Sequence, residues 1–220
     1  MELGHRRGTG RNQPRGRDGE GSRAISGSRV LSDHELAQVW RNLPVGDFGD
    51  IVRLLILTGQ RREEIGALQW SEINLADRLI TLPPARVKNG RPHQVPLSEP
   101  ALAILAARHS KREGPAVFGR DGRDRFTNWS NTKAALDRRL PAMPDWHLHD
   151  LRRTCATGMA RLGFNLPVIE RVLNHVSGSF AGIVGVYQRH DFAEEKRQAL
   201  EKWATHLSTI VGLAKAAAVA

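Results

Sequence analysis

The sequence predicts a mainly α domain carrying a small antiparallel β-sheet, an α+β arrangement within 220 residues. Three observations lead there. Apolar residues recur at helical spacing through most of the chain from Leu31 onward. Only between Arg78 and Leu97 does that period give way to short β-like runs broken by Gly and Pro. With 40% apolar and 25% charged residues, the composition supports a real core and excludes whole-chain disorder as well as collagen-like and coiled-coil classes.

The folded part begins near Leu31. Ser32-Asp33-His34-Glu35 reads as a capping box with Leu31 and Leu36 as its hydrophobic staple, opening a helix that runs to about Asn42 and is ended by Pro44. Asp47 to Thr58 stacks Phe48, Ile51, Leu54, Leu55 and Ile56 on one broad face and stops at Gly59. A third helix starts just after Gln60. The β-like runs are Leu79 to Leu82, Ala85 to Lys88 and His93 to Leu97, and Asn89-Gly90 between the last two predicts a tight hairpin turn, because both residues accept φ > 0. Helical patterning resumes over Glu99 to Lys111, Asn128 to Leu140, His149 to Leu162, Pro167 to Leu173, Ile183 to Gln188 and Phe192 to about Thr209. No internal repeat is visible.

Residues 1–30 hold seven Gly and seven Arg with few bulky apolar side chains, so they bury too little to offset ordering entropy and read as an arm or linker ahead of one domain over 31–220. The arm carries a net +4 of the chain's formal +10. That basic balance makes a polyanionic partner the leading class, since Lys and Arg release condensed counterions from phosphates. Apolar stretches fall well short of the ~20 residues needed to cross a bilayer, and no signal-peptide pattern stands at the N-terminus. With Cys155 as the single cysteine, a reducing cytoplasm is the expected compartment.

Six residues stand out as chemistry-bearing. Arg61 follows Thr58-Gly59-Gln60 at a helix junction, with Glu64 three residues on and able to orient its guanidinium. His149 and Arg152 share a helix face at i,i+3. Lys88 sits at the tip of the expected hairpin, His175 closes a short helix, and Tyr187 is the only tyrosine. Two guanidiniums, two imidazoles, an ammonium and a phenol supply what a metal-free transfer at a phosphodiester needs: charge neutralisation, proton donors and a nucleophile. Singly, each has a plainer reading as a surface ion pair, a packed aromatic or an edge protected by charge. His147 and His149 with Cys155 lack a convincing zinc ligand set.

Together these residues resemble a known family. Thr58-Gly59-Gln60-Arg61-Arg62-Glu63-Glu64-Ile65 with Ala67-Leu68-Gln69-Trp70 resembles the first arginine box of the tyrosine recombinases, the phage-integrase family. His149-Asp150-Leu151-Arg152-Arg153-Thr154 resembles its His-x-x-Arg box. Leu173-Asn174-His175 and Tyr187-Gln188-Arg189-His190 resemble its third histidine and its nucleophile, and Lys88-Asn89-Gly90-Arg91 through Val95-Pro96-Leu97 its lysine-bearing hairpin.

The resemblance implies the tyrosine-recombinase catalytic-domain fold, a helical body with a three-stranded sheet at one edge. It implies a site-specific recombinase acting in integration or excision of a mobile element. Tyr187 would attack the scissile phosphate to form a 3′-phosphotyrosyl link, Arg61 and Arg152 would clamp non-bridging oxygens, and Lys88 would protonate the departing 5′ oxygen. His149 would assist proton transfer at the tyrosine, and His175 would donate to the phosphate. Neither metal nor other cofactor enters this scheme. The implied partners are double-stranded DNA attachment sites, further copies in a homo-tetramer on DNA, and excisionase and DNA-bending accessory proteins. The last helix, through Phe192, Ala199, Leu200, Trp203, Leu207 and Ile210, serves either its own core or a neighbouring protomer.

Two departures accompany the match. Twelve positions separate His175 from Tyr187, a longer spacing than is common in the family, with Ser177-Gly178-Ser179 and Gly182 able to absorb it. The core-binding domain that usually precedes the catalytic one is not expected within residues 1–30. A non-catalytic DNA-binding role for a truncated integrase and a type IB topoisomerase-like nicking and closing activity are the competing readings.

Overall fold

The structure, a computed structural model, describes residues 29–175 and 192–212. Most of the arm, the expected helix over Ile183 to Gln188, and Tyr187 itself lie outside the described residues. Eight α-helices are described: α1 Asp33–Arg41, α2 Asp47–Thr58, α3 Arg62–Gly66, α4 Glu99–His109, α5 Trp129–Asp137, α6 Leu148–Arg161, α7 Leu166–Val172 and α8 Ala193–Val211. Three strands, β1 Ile73–Asn74, β2 Leu79–Leu82 and β3 His93–Pro96, form one antiparallel sheet in the order β1-β2-β3. The expected α+β architecture is therefore present.

Local signals placed the first helices well. Ser32 Oγ accepts from Glu35 N–H and Glu35 Oε2 accepts from Ser32 N–H at 2.8 Å, closing the capping box, while Leu31 and Leu36 are both buried. Gly59 ends α2 in the left-handed conformation at φ +66°. Nearly every side chain of α2 is buried, because α3, α4, α6 and α8 pack around it. The last helix uses its apolar face on its own domain: Ala199, Leu200, Trp203 and Leu207 are buried, and Trp203 Nε1 donates to Ile56 O at 2.8 Å. Those residues are not available to dock on a second protomer.

The hairpin differs from expectation. Ala85 to Lys88 forms no strand; β2 pairs directly with β3, Leu82 opposite His93, across a connection spanning residues 83–92. The reason lies in Pro83-Pro84. Proline has no N–H for a ladder, and Pro84 instead opens a 3₁₀ turn over Pro84–Arg86. Asn89-Gly90 then falls inside the connection, where Gly90 N–H bonds Val87 O at 3.2 Å and Gly90, but not Asn89, takes a positive φ. Ile73–Asn74 supplies the third strand instead, pairing Ile73 with Ile80. Alternation along the sheet buries Ile80 and Leu82 on β2 and His93 and Val95 on β3, which puts a histidine among core side chains.

Candidate active site

Arg61 stands between α2 and α3 as the N-cap of α3. Glu64, buried in the first turn, accepts from both ends of it: Arg61 Nη1 at 2.8 Å through Oε1 and Arg61 N–H at 2.9 Å through Oε2. The expected i,i+3 partnership is thus made with the carboxylate on the protein side, and it fixes the guanidinium direction. One face of the guanidinium side chain remains accessible, about 27% exposed.

Arg152 is placed by long-range contacts. It lies in the middle of α6, nearly buried, and its guanidinium donates to Gly59 O at 2.8 Å and to Leu173 O. Those carbonyls end α2 and α7, so one side chain ties together the helix before Arg61 and the turn before His175. Gly59 is required at this crossing. A Cβ there would stand 2.8 Å from Leu173 Cδ2 and 3.0 Å from Cys155 Sγ. Burial and the neighbouring Arg61 charge push the Arg152 pKa down to about 10, which leaves it protonated near neutrality. Cys155 beside it is fully buried and its thiol is pushed up to about 12 by that burial, so it is an inert packing residue.

His149 opens α6 one turn before Arg152. Its N-terminal turn is set by Asp150, which accepts from His147 N–H at 2.8 Å and Arg153 Nη1 at 2.6 Å. Burial raises the Asp150 pKa, but these hydrogen bonds outweigh it and hold the carboxyl below its ordinary value. Desolvation, with the positive charges of Arg153 and Arg152, lowers the His149 pKa. A neutral imidazole at physiological pH can accept a proton.

Arg61, Lys88 and His149 line one cleft of about 680 Å³, together with Arg62, Arg86, Lys133 and Arg153 and the rings of Trp129 and Trp146. Only Glu63 and Glu64 oppose this charge among the lining residues. Arg152 lies behind the cleft, close enough to Arg61 for their charges to interact. His175 is exposed at the end of α7, where its N–H bonds Glu170 O at 2.9 Å, and it is not among the cleft-lining residues. Among the described residues no group of three or more His, Cys, Asp and Glu is arranged to hold a metal ion.

Two groups of site residues went unnoticed in the sequence. Gln60 Nε2 donates to Thr58 O at 2.8 Å and Val172 O at 2.9 Å, and Gln60 Oε1 pairs with His93 Nε2 at 3.1 Å. This amide joins α2, α7 and β3 beneath Arg61. Burial, with the Lys196 and Arg152 charges, pushes the His93 pKa down to about 3, so the ring is neutral and donates to the Gln60 oxygen. Arg86 fastens the start of the lysine-bearing connection, through an ion pair with Glu72 and a 2.8 Å bond to Glu64 O. Only the adjacency of Gln60 to Arg61 hinted at any of this.

Residues 47–194 match the phage integrase family. The chain is also 34% identical over 163 residues to prophage integrase IntZ of Escherichia coli (strain K12), an overlap covering 73% of this chain and 39% of that protein. The chain belongs to the phage integrase family. It spans less than two fifths of the length of such curated relatives. Among solved structures, the XerA recombinase superposes with a TM-score of 0.60 at 22% identity, covering 78% of this chain and 65% of that one. A lambda integrase tetramer bound to a Holliday junction gives 0.51 at 18% identity, covering 68% and 47% respectively. These likenesses establish the shared fold of this phage integrase family member. No helix among its described residues is long and apolar enough to cross a membrane.

Proposed function

We propose that this integrase-family chain cleaves and rejoins DNA at specific sites through a 3′-phosphotyrosyl intermediate, in integration or excision of a mobile element. The observation that carries the reading is the convergence of Arg61, Lys88 and His149 on one basic cleft, with Arg152 held behind it by the Gly59 and Leu173 carbonyls. A scissile phosphate entering there meets fixed positive charge before reaction, which stabilises the additional charge that builds as phosphorus becomes five-coordinate.

In this reading the Tyr187 phenolate oxygen attacks phosphorus, the bond to the 5′ oxygen breaks, and Lys88 protonates the leaving oxygen. Neutral His149 takes the phenolic proton. Arg61, oriented by Glu64, and Arg152 clamp the non-bridging oxygens, and His175 donates to one of them. Removing one such donor costs about 10²–10³-fold in rate in comparable oxyanion sites. The phosphotyrosyl bond conserves the energy of the phosphodiester, so religation proceeds without ATP or a cofactor. The partners are duplex DNA at attachment sites and other copies of the chain, as in the DNA-bound tetramer of the lambda relative, acting in the cytoplasm. Excisionase and DNA-bending proteins complete the assembly we envisage.

The test is a nicked suicide duplex carrying a candidate attachment core, incubated with the protein in EDTA and resolved on a denaturing gel. A protein–DNA adduct present for wild type and missing for Tyr187→Phe is the expected result. Salt-sensitive binding of the same duplex without any adduct would reject catalysis by this chain.

A further inference from the structure

Asn174 follows α7 at φ +48°, a left-handed conformation that glycine adopts freely and that asparagine tolerates better than most residues. What asparagine adds over glycine is a side chain, and this one is engaged. Asn89 Nδ2 donates to Asn174 Oδ1 at 2.5 Å, and Asn174 Nδ2 donates back to Asn89 Oδ1 at 3.4 Å. The two residues are 85 positions apart, each next to a chemistry-bearing neighbour: Lys88 on one side, His175 on the other.

The connection carrying Lys88 needs such a tie. Ladder pairing stops at Leu82 opposite His93, so residues 83–92 have no strand partner. Arg86 fixes the start of the connection on Glu64 O, and His93 fixes its end on Gln60. Between them Val87 buries its side chain, but Lys88 is exposed, and its backbone direction depends on how the next residue is anchored. That residue is Asn89, and its amide also accepts Arg91 N–H at 3.2 Å, which closes the tip.

We propose that the Asn89–Asn174 amide pair is a positioning latch that holds the Lys88 ammonium over the cleft, in register with the turn that carries His175. The inference rests on Lys88 acting as the proton donor to the leaving group. With an ordinary substrate the P–O5′ bond breaks, its electron pair stays on O5′, and a Lys88 N–H proton completes the hydroxyl. When sulfur replaces that bridging oxygen, the pair leaves on a thiolate, which departs without a proton donor because a thiol has a pKa of about 8.5, far below that of an alcohol. A misplaced proton donor therefore slows only the oxygen substrate.

The experiment compares single-turnover cleavage of suicide duplexes with 5′-bridging oxygen and 5′-bridging sulfur by wild type, Lys88→Ala, Asn174→Gly, Asn89→Ala and the Asn89→Ala/Asn174→Gly double variant. Asn174→Gly suits the backbone at φ +48°, and Asn89→Ala provides an independent break from the other side. Each is expected to slow the oxygen substrate roughly 10- to 100-fold, as an ångström-scale misplacement does, and to cut the sulfur substrate at the wild-type rate. The double variant should be no slower than the worse single one. Equal slowing on both substrates, additive slowing, or unchanged rates on the oxygen substrate would overturn the latch while leaving the recombinase reading intact. Wild type cutting neither substrate would reject that reading, and Lys88→Ala left slow on sulfur would reject the proton-donor role, and the latch falls with either.

Discussion

Replacing Gly59 by alanine tests the junction on which the candidate site is built. Two costs can be worked from the structure. An L side chain in the left-handed region costs about 1–2 kcal/mol, and Gly59 sits there at φ +66°. The new Cβ would lie 2.8 Å from Leu173 Cδ2 and 3.0 Å from Cys155 Sγ, closer than packed carbons approach, and overpacking of that kind costs a further ~1–3 kcal/mol. Together these give a destabilisation of about 2–5 kcal/mol, corresponding to a Tm fall on the order of 10 °C for a domain of this size. Urea denaturation and thermal melting monitored by circular dichroism would measure it. The effect should exceed stability alone, because the Gly59 carbonyl that accepts from Arg152 must move with the backbone. Cleavage measured well below the melting range should therefore also fall. Pairing the change with Cys155→Ala removes one of the two clashing atoms, so the double variant should be less destabilised than the sum of the singles. A Gly59→Ala protein melting within about 2 °C of wild type would refute both the conformational and the packing argument.

Further outcomes are expected. Tyr187→Phe should abolish covalent linkage while leaving duplex affinity within about twofold, since a single hydroxyl among many phosphate contacts adds little to binding; gel shift and adduct assays on one preparation separate the two. Arg152→Ala should lose cleavage by about 10²–10³-fold and also some stability, because the Gly59 and Leu173 carbonyls lose a buried donor; chemical denaturation beside single-turnover kinetics checks both. His93 is held neutral in the fold, its pKa moved from 6.5 to about 3, so the unfolded chain binds more protons between those values and stability should fall as pH drops below about 6.5. His93→Gln should flatten that slope in urea titrations across the acid range. Deleting residues 1–30, which carry a net +4, should weaken nonspecific DNA binding and reduce its salt dependence, read from affinities at several salt concentrations.

Much of the fold was legible because it is written in local code. The Ser32–Glu35 box, the Asp47–Thr58 face and the Gly59 stop each depend on residues within a turn or two of one another. The same holds for the Arg61–Glu64 pair, whose i,i+3 spacing alone brings guanidinium and carboxylate together. Where the local code offers two answers, the fold takes the one that a short stretch of sequence does not single out. Asn89-Gly90 is a strong turn pair, yet Pro83-Pro84 upstream had already diverted the chain from strand to 3₁₀ turn, and a two-residue strand at Ile73–Asn74 is too short to announce itself.

By itself the sequence determined the mainly helical class, the helix boundaries set by caps and glycines, and the order of the arginine, lysine and histidine positions along the chain. Tertiary structure alone decided that Arg152 is held by Gly59 and Leu173, that Gln60 joins Val172 to His93, that Asn89 meets Asn174, and that the last helix closes on its own core. The physical reason is range. Capping and periodicity act between residues a few positions apart, whereas these contacts link groups separated by 21 to 147 positions, and nothing in either partner's own neighbourhood marks it until the core has formed between them.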